Sequence, residues 1–416
     1  MCDLIKELIN IFPKSLEIEK ISINGHVFST FFNYFKLCSE KPSYNKKISN
    51  LALFTITSIL DYLNDELNTG HWSEVPITLR KNFTIATYLK LVCIVHKCDK
   101  FSNEILKNLI KTVDMGLLLG APVEENNELL AKCAQILQSA LYSKENEKPL
   151  PENSACIEIY ENNINIDMEK ELFDKIKGCI VQEEFMPSLE FFANQYFYQQ
   201  LPVKLKGCIK HWSALKKWSN IQYFLNLAGA RTVPIEIGSH YTDKNWSQKL
   251  MTIKEFIENY LLSENREVGY LAQHNLLDQI IELKDDIQIP EYCCCSLNYE
   301  KATDPDINIW LGPKETLSPL HQDPKNNILA QVFGTKQVIL YSVEDSKYLY
   351  PYQGNMLSNS AQVDPLKPDF IKFPEFKNAK MYKCLLEPGD MLFLPINWWH
   401  HVKALDRSCS VSFWWQ

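Results

Sequence analysis

Apolar residues recur every third or fourth position through the first third of the chain, the spacing of one face of an α-helix. Residues 49–70, SNLALFTITSILDYLNDELNTG, open on the polar Ser49, carry leucines and isoleucines at that spacing and stop at Gly70. Residues 101–120 and 126–145 behave likewise. In the second of these, Leu130, Cys133, Ala134, Leu137, Ala140 and Leu141 form one stripe. The opening MCDLIKELINIFPKS reads as another amphipathic helix. The pattern predicts a bundle of roughly six helices over residues 1–142, with packing stripes and no chemistry of its own.

The periodicity then changes. Residues 143–154, SKENEKPLPENS, are charged and poor in large apolar side chains, the composition of a linker. A mixed stretch follows: a helix at residues 189–197, a strand at 202–209, a helix ending at Gly229 and a strand from Thr232. From Asn308 onward short strands dominate, punctuated by turns at Gly312-Pro313, Gly334-Thr335 and Pro388-Gly389-Asp390, and SVSFWWQ closes the chain as a strand. The expected class is α+β: a helical domain over residues 1–142, a linker and lead-in over 143–180, and a β-barrel or jelly roll over 181–416.

Composition narrows the classes. The chain has 416 residues, 46% hydrophobic and 23% charged, as expected of a soluble globular protein with more than one domain. A net charge of −8 and the lack of a Lys/Arg run argue against autonomous nucleic-acid binding. Asp3, Lys6 and Glu7 interrupt any signal core, and no apolar run reaches the roughly 18–20 residues that span a bilayer. Thirteen cysteines, including the triplet Cys293-Cys294-Cys295, show no paired framework, which suits reduced thiols in the cytoplasm or nucleus.

The candidate chemistry starts at SPLHQDPKNN, residues 318–327. On a strand, side chains two apart share a face, so His321 and Asp323 point the same way. An imidazole and a carboxylate side by side, joined by one histidine from a neighbouring strand, make the facial triad of non-haem Fe(II) oxygenases, with open positions left on the metal. FLPINWWHHVKAL supplies His400 and His401. Neighbours on a strand face opposite ways, so only one of them can join, and counting does not say which.

SPLHQDPKNN, QVFGTKQVILYS and PGDMLFLPINWWHHV together resemble the HxD…H core of the jumonji-C oxygenases. RTVPIEIGSHYTDKNWSQKLMT, GYLAQHNLLDQI, AQVDPLKPD and VSFWWQ narrow the likeness to the jumonji-C-domain protein five (lysine demethylase eight) family. The resemblance is dense over residues 185–416. It implies a double-stranded β-helix, catalysis with Fe(II), O2 and 2-oxoglutarate, and His400 as the third ligand. His401 stands where the family has an aromatic residue. Lys336 suits the distal carboxylate of 2-oxoglutarate, while Ser318 and Tyr270 offer hydroxyl donors and Asn327 reaches the first carboxylate or an iron-bound water. All four match 2-oxoglutarate positions of the family, as does Trp414.

The same resemblance implies a protein substrate, with C-3 hydroxylation of an arginine as the expected activity and ribosomal, chromatin-associated or histone proteins as partners. A guanidinium needs a fixed carboxylate and flat aromatic faces. Glu236, Tyr241, Trp246 and Trp310 supply these, and Gln273 adds a polar contact. The alternatives are demethylation of Nε-methyl-lysine and metal-dependent cleavage of histone tails, although no HExxH motif is present. A silent binding module is the reading from another class, and intact His321, Asp323, His400 and Lys336 argue against it. A monomer is expected, with no membrane or nucleic-acid partner and the helical half recruiting proteins.

Overall fold

The computed structural model describes residues 46–416 except 99, 125, 146–163, 239, 244, 264–266, 298–303 and 355–356, together with Leu4, Glu7, Leu8, Asn10 and Ile11. Most of the expected N-terminal helix, and the expected linker from residue 146 on, lie outside the described residues. Two compact units are present. One comprises residues 1–154, 225–233 and 278–281, and the other residues 155–224, 234–277 and 282–416.

The first unit is built on α1 (Lys46–Leu67), α2 (Ile77–Lys97), α3 (Asn103–Leu119) and α4 (Leu129–Glu145). Each helix packs on the next in sequence. Helix α3 starts because the Ser102 hydroxyl accepts the Ile105 N–H at 3.2 Å, and it stops at Gly120. The stripe anticipated on α4 is buried at Leu130, Cys133, Ala134, Leu137 and Leu141, while Ala140 is half-buried. Within this unit the buried Asp114 accepts from Arg231 Nε at 2.9 Å, Arg231 Nη2 at 2.8 Å, Gln279 Nε2 at 2.9 Å and the Thr232 N–H at 2.7 Å. Burying that ion pair is tolerable because the carboxylate is so fully hydrogen-bonded. It ties residues 225–233 and 278–281 to α3.

The second unit opens with α5 (Ile164–Asp174) and is dominated by two sheets. The smaller has the order β1 (Cys179–Ile180), β11 (Tyr382–Leu386), β10 (Lys336–Tyr341), β13 (Trp399–Ala404), β8 (Leu317–Gln322). The larger runs β2 (Glu183–Phe185), β3 (Val203–Lys206), β12 (Asp390–Leu394), β9 (Asn326–Phe333), β14 (Ser408–Trp415), β7 (Asp306–Gly312), β6 (Gly269–His274), β4 (Thr232–Ile237), β5 (Ser247–Thr252). Leu329, Leu392 and Leu394 of the larger sheet meet Val338, Leu340 and Val402 of the smaller in one apolar layer. Alternate residues of β10, Ile339 and Tyr341, turn outward and are covered by Leu349, Val363, Phe373 and Phe376. Strands buried on both faces read as continuous apolar runs, which is how VILY appears in the sequence.

This is the expected α+β class, with a two-sheet β-sandwich following a helical region in the sequence. The terminal SVSFWW segment forms β14 between β7 and β9, and the anticipated turns at Gly334 and Gly389 adopt φ of 71° and 92°. The helix expected at residues 189–197 is a short α-turn, Leu189–Phe192, that widens into a π-turn, Ala193–Phe197.

Candidate active site

Strands β8 and β13 are antiparallel neighbours, with His321 directly opposite His400. Their rings lie 4.1 Å apart between centroids. Strand β8 ends at Gln322, so Asp323 sits in the turn just beyond it, where its carbonyl accepts the Asn397 N–H at 2.8 Å. One Asp323 oxygen is 3.9 Å from His321 Nε2 and the other is 3.5 Å from His400 Nε2. His401 faces Ile339 of β10 and is buried away from the cavity.

The imidazole tautomers follow from their partners. His321 Nδ1 lies 2.7 Å from the Pro319 carbonyl and His400 Nδ1 lies 3.0 Å from the Trp398 carbonyl. A carbonyl only accepts, so both Nδ1 atoms carry the proton and both Nε2 lone pairs face Asp323. Burial, then the neighbouring His321, holds the His400 imidazole down at about 4 against the opposing pull of Asp323, so it is neutral at neutral pH. Lone pairs converging on a carboxylate repel one another, and the inner oxygen of Asp323 is buried without a hydrogen-bond partner. That donor set is incomplete without a cation. Two nitrogens and one carboxylate oxygen on one side of it suit Fe(II).

The triad opens on a cavity of about 330 Å³ whose walls include, apart from His401, every metal, co-substrate and substrate residue singled out in the sequence. Lys336, the first residue of β10, is 2% exposed and donates to the Tyr270 hydroxyl at 3.3 Å. Burial drops its pKa to about 8, and no carboxylate touches it among the described residues. Asn327 of β9 and Trp414 of β14 are cross-strand partners. The Asn327 Oδ1 and the Trp414 indole N–H are buried without partners. Ser318 lines the same wall from β8. An ammonium, a phenol and an indole N–H with a vacant capacity form an end suited to an anion, so the residues present fit a carboxylate ligand such as 2-oxoglutarate.

A carboxylate brings the other polarity into the same cavity. Glu236 projects from β4 across from Tyr270 of β6. Burial raises its pKa, opposed by the Trp246 indole, which donates to it at 3.3 Å. The Tyr241 hydroxyl lies 2.9 Å from Ser360 Oγ, and its ring stands edge-on to His321 at 6.3 Å. Trp310 of β7 lies 6.0 Å from the Tyr270 ring and donates to Ser412 at 2.8 Å. Gln273 sits at the mouth with φ of 49°. Six lining residues had no sequence signal. Asn359 belongs to a segment that pairs beside β8, and Ala272, Leu317, Leu329, Leu394 and Val402 look like ordinary strand interior.

Fold and site together define a cupin-like protein with a His–Asp–His triad, and residues 188–416 match the family described as the Cupin-like domain. The chain is 39% identical over 396 residues to Lysine-specific demethylase 8 of Xenopus tropicalis, covering 86% of this chain and 87% of the relative. It is 41% identical over 366 residues to Lysine-specific demethylase 8 of Danio rerio, covering 86% of each. Against Jumonji C domain-containing protein 5 of Drosophila melanogaster it is 36% identical over 367 residues, covering 87% and 86%. The chain therefore belongs to the jumonji-C oxygenases, in the family of lysine-specific demethylase 8 and jumonji C domain-containing protein 5. Jumonji-C enzymes in general depend on Fe(II) and 2-oxoglutarate.

Proposed function

We propose that this chain is an Fe(II)- and 2-oxoglutarate-dependent oxygenase acting on a cationic side chain of a protein substrate. Removal of an Nε-methyl group from lysine is the leading reaction, because two of the similar proteins are named lysine-specific demethylases. The observation that carries the chemistry is one cavity holding three converging ligand atoms and a buried lysine that touches no carboxylate among the described residues.

In this reading His321, Asp323 and His400 hold the iron, and Lys336, Tyr270, Ser318, Asn327 and Trp414 hold 2-oxoglutarate. When bound, the pair supplies an oxidant from O2 strong enough to attack an unactivated C–H bond, while 2-oxoglutarate becomes succinate and carbon dioxide. No side chain has to move a proton. Lys336 neutralises the distal carboxylate, the Tyr270 hydroxyl directs it, and the apolar Leu329, Leu394 and Val402 keep water from the reacting carbon. Glu236 attracts the substrate cation, and Tyr241, Trp246 and Trp310 offer faces for it to rest on.

A second reading, C-3 hydroxylation of arginine, is the activity the sequence resemblance implies, and Glu236 favours it. A methyl-lysine needs only an aromatic cage, whereas a guanidinium gains paired hydrogen bonds from a carboxylate. Mass spectrometry of methyl-lysine and arginine peptides incubated with Fe(II) and 2-oxoglutarate separates the two. Loss of a methyl group supports the first reading, and gain of one oxygen on arginine supports the second. Chain cleavage, or no succinate with either peptide set, would overturn both. A Glu236→Ala variant that turns over arginine peptide normally removes the second reading. The protein is proposed to work as a monomer in nucleus and cytoplasm. No helix among the described residues is long and apolar enough to cross a membrane.

A further inference from the structure

Lys336 follows the Gly334–Thr335 turn, which carries the chain from β9 of the larger sheet to β10 of the smaller and is held from two sides. Gln331, fully buried in β9, donates Nε2 to the Phe333 carbonyl at 2.7 Å and the Gly334 carbonyl at 3.0 Å, while its Oε1 accepts from the Ser410 hydroxyl at 2.7 Å. On the other side Asp406, in the loop between β13 and β14, accepts the Thr335 N–H on Oδ1 at 2.6 Å. The Thr335 carbonyl accepts the Leu405 N–H at 2.9 Å, and Lys336 is paired across strands with Ala404. Gly334 packs so tightly on the Arg407 backbone that a Cβ would collide with its carbonyl.

We propose that Asp406 is a positioning residue for co-substrate capture: it locks the Gly334–Thr335 turn and sets a carboxylate beside the backbone from which Lys336 springs before the co-substrate arrives. The inference rests on Lys336 receiving the distal carboxylate of 2-oxoglutarate.

Outside the triad, the titratable groups around Lys336 among the described residues are Glu236, which lines the same cavity from β4 beside Tyr270, and then Tyr270, Cys409 and Asp406. Tyr270, from β6, is a neutral phenol whose pKa burial drives far above its usual value. Cys409, from β14, has its thiol pushed up to about 12 by burial, so it stays uncharged where the lysine titrates. Asp406 is the remaining group acting on the lysine, and it favours the charged form. Its own carboxyl is raised to about 6, chiefly by burial, against the Thr335 N–H and the nearby Lys170 and Lys314. It is therefore an anion throughout the range in which Lys336 would lose its proton. One carboxylate thus does two jobs: its oxygen fixes the backbone from which Lys336 springs, and its charge offsets part of the cost of an ammonium in an apolar wall.

The test measures 2-oxoglutarate binding by calorimetry to the full chain loaded with Mn(II) in place of iron, across the pH range of the lysine titration. In the wild type, affinity falls once pH passes the lysine's pKa. Asp406→Asn keeps an acceptor for Thr335 but removes the charge, so the fall should begin at lower pH, with affinity below it within about threefold of wild type. Asp406→Glu keeps the charge and disturbs the turn, so affinity drops several-fold while the fall stays where it was. Should Asp406→Asn not fold, the glutamate variant still decides, because a fall displaced in it contradicts the charge role. A fall unmoved in Asp406→Asn overturns the proposal while Lys336→Met still abolishes binding. If Lys336→Met binds normally, the co-substrate reading itself is what fails.

Discussion

Lys336 shows what a single residue contributes. A buried ammonium near pH 8 is half neutral, and 2-oxoglutarate, a dianion, prefers the charged form. Below pH 8 the lysine is already protonated and binding is pH-independent. Above it, binding must take up a proton and weakens by about tenfold per unit until the pKa of the complex is reached. Calorimetry in buffers of different ionisation heat should show proton uptake at pH 9 and none at pH 7. At Asp323 the sign is simpler: Asp323→Ala removes the sole carboxylate of the triad. It should abolish succinate formation and weaken Mn(II) binding by at least about tenfold to a hundredfold, read by paramagnetic relaxation of water. These residues were legible because imidazole, carboxylate and lysine are chemically distinctive. Asn359 was not, since nothing in LSNSAQ separates a wall-forming amide from a loop amide.

At the scale of elements, the bulges in β8 and β6 matter most to the site. His321 and Ser318 are three apart, so strict alternation would set them on opposite faces. The register of β8 against β13 moves from His400↔His321 to Val402↔Ser318, giving β8 one extra residue, and both side chains reach the cavity. Strand β6 does the same between Leu271 and His274, which brings Gln273 to the mouth in a left-handed conformation. Gly334→Ala would combine a disfavoured φ with a backbone collision. It should destabilise the sandwich unit by roughly 2 kcal/mol or more, measured by urea denaturation. The cap of α3 is worth less: Ser102→Ala should cost about 1 kcal/mol in the helical unit's transition. Turns and caps could be read from the sequence because Gly and Ser act locally, whereas a bulge depends on the partner strand.

Across the whole molecule, the helical unit holds more than the N-terminal sequence. Residues 225–233 and 278–281 belong to it, and Asp114 meets Arg231 there with neither exposed to water. Deleting residues 1–150 would strand that guanidinium without its carboxylate, a loss of order 3–5 kcal/mol. The truncated chain should therefore be poorly soluble and should melt at lower temperature by circular dichroism, rather than yield an independent catalytic domain. Helical stripes, alternating strands and turn glycines are short-range patterns, so the amino-acid order by itself determined the α+β class, the run of elements and the residue types able to hold a metal, an anion and a cation. Which histidine joins His321 depends on strand register. How far Lys336 is desolvated depends on what covers it, and the partner of Asp114 lies more than a hundred residues away. Those were decided by the tertiary structure, because burial and long-range pairing are properties of the packed chain and not of any stretch of it.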